Sequence, residues 1–141
     1  MESCLPRPEI LTGYLSLLDG HIIHSVWLQI DPEPQYNPVE INDNNHIPTC
    51  IARAKNFECI VRNLKSLFEE EFGQTILVLP DCFILGYHPE SKQGLEQMKI
   101  LLTLLLGAAV QCPNKEHFIA RIKELDVETQ HAIVELIKQV N

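Results

Sequence analysis

Apolar residues recur at spacings of three and four along most of this chain, the period of a helix that buries one face. Ile10, Leu11, Tyr14, Leu15, Leu17 and Leu18 form a first short stretch of that kind, which ends near Asp19-Gly20. Ile22, Ile23, Val26, Trp27 and Ile30 repeat it from His21 to Ile30. Asp31-Pro32-Glu33-Pro34 stops that helix, because proline lacks a backbone donor and disfavours helix in the residue before it. Gln35 to Pro48 is rich in Asn and Pro, with Val39, Ile41 and Ile47 as isolated apolar positions, which predicts an ordered loop pinned by a few contacts. A long helix follows, capped by Thr49 and stopped by Gly73, with Phe57, Ile60, Val61, Leu64, Phe68 and Phe72 on its apolar face. Gln74 to Tyr87 is ambiguous: the runs Thr75 to Leu79 and Cys82 to Leu85, bounded by Pro80-Asp81 and Gly86, pass as two short strands on propensity alone. Ser91 caps a helix through Leu95, Met98, Leu101, Leu102 and Leu105 to Gln111, which Pro113 ends. Asn114 caps another with Phe118, Ile119, Ile122 and Leu125, and Asp126 caps the last, which runs to Asn141. The pattern therefore predicts a mostly or wholly helical domain.

Composition narrows the class. With 141 residues, 45% hydrophobic and 21% charged, the chain has the length and balance of one globular domain. Its net charge of −8, from 11 Lys and Arg against 19 Asp and Glu, argues against nucleic acid as a partner, since such domains carry a basic face. The most apolar run, Ile100 to Val110, falls well short of the roughly 20 residues that a membrane-spanning helix needs, and reads as a buried core helix. Five cysteines without a CxxC pair, behind an opening Met1-Glu2-Ser3-Cys4 that lacks a basic and apolar secretion signal, point to free thiols and a cytoplasmic setting.

Candidate chemistry is sparse. His21 and His24 share a helical face, but no further ligand cluster completes a metal site. Cys50, Cys59, Cys82 and Cys112 sit in apolar surroundings, where a thiol behaves as a small hydrophobe rather than a nucleophile. Glu69-Glu70-Glu71 is read as a solvated helix end, with an acid/base group or a docking patch as alternatives. There is no Gly-rich phosphate loop and no GxSxG elbow. Neither an enzyme nor a bound cofactor is expected.

The last helix stands apart. At about 100° per residue, Glu128, His131, Glu135, Lys138 and Gln139 fall within an arc of about 100°. Ala132, Ile133, Val134, Leu136, Ile137 and Val140 cover an arc of about 200°, twice the stripe of about 100° that packing on one neighbour requires. Gln130, Ile133, Val134 and Ile137 cluster on one side of it at the i, i+3, i+4, i+7 spacing that lines a groove for a partner helix. Burial of the whole arc in the domain's own core, or a coiled coil beyond Asn141, is the alternative.

The run Leu104-Leu-Leu-Gly-Ala-Ala-Val-Gln-Cys112, with Lys115 to Asp126 and Glu128-Thr-Gln-His131, resembles the end of the N-terminal Hook domain of the Hook and girdin/Daple proteins, and girdin and Daple more than the Hooks. Leu18-Asp-Gly20, Leu28 to Pro32, Asn56 to Asn63 and Gly86-Tyr-His-Pro89 extend the similarity across roughly Leu17 to Asn141. The resemblance implies an all-α fold, a calponin-homology-like helical bundle (1–112) with an extra C-terminal helical extension (113–141). It implies a cytoplasmic, cytoskeleton- or centrosome-associated dynein adaptor, in which this domain binds an amphipathic helix of the dynein light intermediate chain and a downstream coiled coil dimerises. A Gln and an Ile seven residues apart are central to that contact in the family and match Gln130 and Ile137. It also tips Gln74 to Tyr87 toward short helices and loops. Against the family pattern, the first, Trp-bearing helix of the bundle is expected to be missing here, and the coiled coil lies beyond the chain. The rival expectation is a filament-binding module for microtubules or actin, in which Lys55, Arg62 and Lys65 form a basic patch on the long helix.

Overall fold

The computed structural model describes residues 20–38 and 47–140. The stretch Ile10 to Leu18, and Val39 and Ile41, lie outside the described residues. Among the described residues the regular elements are all helical: α1 (His21–Ile30), α2 (Thr49–Ser66), α3 (Cys82–Tyr87), α4 (Lys92–Ala109), α5 (Lys115–Lys123) and α6 (Val127–Val140). A π-helical turn, Leu67–Glu71, prolongs α2.

The core forms where the apolar stripes of α1, α2 and α4 meet. Ile23 and Trp27 of α1, Phe57, Ile60 and Leu64 of α2, and Leu101 and Ala108 of α4 are fully buried together. α1 closes where Asp31 turns extended and its N–H bonds the Trp27 carbonyl at 2.8 Å. The loop behind it is tied to α2 by Asn63, whose Oδ1 accepts from the Tyr36 N–H (3.2 Å) while its Nδ2 donates to the Tyr36 carbonyl (3.0 Å). That side chain is buried, and these two bonds offset the cost of burying its amide.

Two local expectations are corrected, at Thr49 and at the end of α4. Thr49 is not the cap of α2: Pro48 holds that position, and its φ of −54° and ψ of 140° aim its carbonyl at the Ala52 N–H (3.0 Å), so the helix starts without a side-chain cap. Between Gln74 and Tyr87, where the pattern alone left two strands open, the chain forms loop and one short helix, as the resemblance implies. Residues 74–81 run without regular structure, and Asp81 then caps α3, its Oδ1 accepting from the Phe83 and Ile84 amides at 3.0 and 3.2 Å. The β-rich run finds no ladder partner, and Leu77 stands 91% exposed. α4 ends at Ala109 rather than Gln111. Asn114 holds the N-cap position of α5 as the pattern predicts, but without a side-chain cap hydrogen bond, and its Nδ2 reaches back to the Gln29 carbonyl of α1 (3.2 Å).

α3 sits tightly on α2. A Cβ on Gly86 would come within 2.6 Å of the Ala54 Cβ and 2.7 Å of the Cys50 carbonyl oxygen, and Arg53 donates twice to the Gly86 carbonyl, at 3.0 and 2.8 Å. Ser91 caps α4 as the pattern predicts, accepting from the Gly94 N–H at 3.0 Å. α6 packs back along α4, whereas α5 buries no residue completely.

Candidate functional site

The end of the chain is built around an elbow. α5 closes in a tight turn, in which the Glu124 N–H bonds the Arg121 carbonyl (3.2 Å) and the Leu125 N–H bonds that of Ile122 (3.0 Å). Asp126 opens α6 by accepting from the Thr129 N–H at 2.7 Å. Hydrogen bonds from the Thr129 backbone and side chain hold the Asp126 carboxyl below its ordinary range. Gln130, one turn further on, donates through Nε2 to the Leu125 carbonyl (2.7 Å) and the Lys123 carbonyl (3.2 Å). It therefore satisfies carbonyls that the end of α5 leaves without helical partners.

Beside this elbow lies an open cleft of about 230 Å³. Gln130, Ile133 and Val134 of α6 form one wall; Ile119, Ile122 and Lys123 of α5 form another, and Val110 closes the end next to α4. Three of the four positions singled out on the last helix are thus brought together. The fourth, Ile137, lies on α6 one turn beyond Ile133, and its side chain is outside the described residues. The contributions of Val110, Ile119 and Ile122 escaped the helical wheel of α6, although the Ile119/Ile122 spacing marks an apolar stripe on α5. The cleft is smaller than the roughly 300–1,000 Å³ of sites that enclose small molecules. Its walls are mostly apolar, with Val110, Ile119, Ile122 and Ile133 half-buried and Val134 exposed.

The other candidate residues lie elsewhere. Lys55 and Arg62 line a separate recess of about 400 Å³ together with Glu58, and Lys65 is not part of it. The Arg62 guanidinium lies 5.7 Å from the centre of the Tyr36 ring. Burial pushes the Cys59, Cys82 and Cys112 thiols up from their ordinary range, Cys82 to about 12 with help from Glu58 and Asp81. Such thiols stay protonated at neutral pH, where a nucleophile has to be ionised. His24 is buried in the core on α1. Among the described residues no group of three or more His, Cys, Asp or Glu converges on a point that holds a metal. No described helix is long and apolar enough to cross a membrane.

The profile of one family, described as the HOOK domain, matches residues 11–139. Protein Daple of Mus musculus is 41% identical over 131 residues, which is 92% of this chain and 6% of that protein. Girdin of Mus musculus is 40% identical over 131 residues, 92% of this chain and 7% of that protein. The chain therefore spans only a small part of the length of these relatives. Among solved structures, the conserved domain of mouse HOOK1 protein is similar with a TM-score of 0.61 and 21% identity, over 86% of this chain and 71% of that one. The fold is thus the calponin-homology-like helical bundle of that domain.

Proposed function

The chain belongs to the HOOK domain family, and from that premise we propose that it is a non-catalytic adaptor module whose C-terminal cleft binds an amphipathic helix of the dynein light intermediate chain. The observation that carries this reading is the exposed apolar cleft between α5 and α6, with Gln130 fixed at its edge and Ile133 and Val134 on its wall. An incoming helix gains about 25 cal/mol for each Å² of apolar surface it covers, offset by the cost of ordering a flexible segment. Binding is accordingly micromolar. Its role in the full protein is to join the motor to cargo or to microtubule organisation in the cytoplasm, near the centrosome, with a downstream coiled coil supplying the dimer. The buried, protonated thiols support a role without bond chemistry.

Fluorescence anisotropy of a labelled light intermediate chain helix peptide, titrated with the parent and with Gln130→Ala, Val134→Asp and Ile137→Ala, tests the reading. Saturable binding that weakens at least about tenfold in the variants, a loss of about 1.4 kcal/mol, is expected, with unchanged helical circular dichroism. Parental affinity in Val134→Asp and Ile137→Ala would place the contact elsewhere.

A further inference from the structure

A second groove, larger than the cleft and sharing none of its lining residues, opens beside the α4–α5 joint. It encloses about 620 Å³ between the end of α1, the π-helical turn after α2 and the Gln111–Lys115 connection. Ile30, Leu67, Phe72 and Cys112 give it apolar surface. Asp31 and Glu33 come to it from one element, and Glu70 and Glu71 from another, against a single cation, Lys115. Among the described residues none of these four carboxylates is in an ion pair. They do not converge as a metal site does, but are spread around an apolar floor. Spaced negative charges around a partly apolar trough complement a segment carrying spaced positive charges and an apolar anchor. The acidic wall is itself unusual. Helix α2 ends in π geometry, with the Phe72 N–H bonded five residues back to the Leu67 carbonyl (3.1 Å), a departure that recurs at functional sites.

We infer that this groove is a second docking surface, which takes a basic amphipathic protein segment with lysine and arginine against Asp31, Glu33, Glu70 and Glu71 and an apolar side chain over Leu67 and Phe72. It is independent of the cleft beside α6, and it gives the acidic triplet Glu69-Glu70-Glu71 a use beyond solvation.

The test is a titration of the isotopically labelled chain with a synthetic peptide of about four helical turns, lysine and arginine on one face and leucine on the other, followed by amide chemical shifts. Shifts are expected at Asp31 to Gln35, Ser66 to Phe72 and Gln111 to Lys115. Because Glu70 and Glu71 are exposed, Glu70→Lys with Glu71→Lys leaves the fold intact and weakens binding at least about tenfold, whereas Glu96→Lys with Glu116→Lys on the remaining surface changes it less than about twofold. A peptide of the same charge with serine for leucine also binds at least about tenfold more weakly. Shifts scattered over the acidic surface, shifts at the α6 cleft alone, or equal binding by the serine peptide would each overturn the inference in favour of plain charge attraction or of the other site.

Discussion

Gly86 is where α3 comes closest to α2, and its missing side chain is what permits the approach. In Gly86→Ala the new Cβ meets the Ala54 Cβ at 2.6 Å, the Cys50 carbonyl oxygen at 2.7 Å and the Ala54 backbone nitrogen at 2.8 Å, none of which yields without lifting α3 off and pulling Gly86 from the Arg53 fork. A loss of about 1–3 kcal/mol in denaturant unfolding is expected, and an unchanged midpoint would show that α3 is not held there. Gly73 is different, because its φ is +65° and nothing lies within 4 Å of where a Cβ would stand. Asparagine tolerates that region, so Gly73→Asn stays near the parent while Gly86→Asn falls further than Gly86→Ala. Cys82 supplies a test in pH. Its thiol stays protonated in the fold to about 12 and ionises in the unfolded chain from its ordinary value of 9.0. The stability this contributes is complete below pH 9 and is lost as pH rises toward 12. Thermal midpoints measured from about pH 8 to about pH 11 should therefore decline less steeply in Cys82→Ala than in the parent, and parallel curves would refute the assignment. Gly73 was legible as the stop of the long helix and Cys82 as an inert thiol, but the demand on Gly86 was not. Gly86 reads in sequence as the end of a strand, because the requirement for it comes from α2, more than thirty residues away.

Elements whose signals are local could be read, and those decided by distant partners could not. The stripes of α1, α2 and α4 follow from periodicity, and the caps Ser91 and Asp126 follow from side chains that bond amides three residues on. Asn114 takes the N-cap position that the pattern gives it, whereas its Nδ2 bond to the Gln29 carbonyl is tertiary and has no local signal. Thr75 to Leu79 has strand propensity, yet a strand needs a neighbour and the bundle supplies none. The site divides in the same way: Gln130, Ile133 and Val134 follow from one helix's wheel, while Val110, Ile119 and Ile122 reach the cleft through the turn between helices. Gln130 also does more than line a groove, since its amide closes the elbow. Gln130→Glu puts an acceptor where the Lys123 and Leu125 carbonyls need a donor, so it loosens the elbow more than Gln130→Ala does. Hydrogen exchange is expected to rise at the amides of α6 in that order, with α1 and α2 unchanged. Equal exchange in both variants and the parent would mean that the elbow is held by the Asp126 cap alone.

At the scale of the molecule, a net charge of −8 separates the modes of binding open to this domain. Actin and tubulin surfaces are acidic, so long-range repulsion opposes a filament-binding role, and the recess that holds Lys55 and Arg62 includes Glu58, which offsets part of their positive charge. The cleft beside α6 draws on apolar burial, which salt does not screen, whereas the groove rimmed by Asp31, Glu33, Glu70 and Glu71 draws on exposed charges, which salt does screen. Raising ionic strength from about 0.05 M to about 0.3 M shortens the screening length from about 14 Å to about 6 Å. Across that range the light intermediate chain peptide should keep its affinity within about twofold, while the basic amphipathic peptide should lose about tenfold or more. Measuring both titrations on one preparation makes the comparison internal, because any change in the fold affects the two alike. A steep salt dependence for the light intermediate chain peptide would mean that charge rather than the apolar wall of Ile119, Ile122, Ile133 and Val134 carries that contact, and the cleft would lose its claim to it.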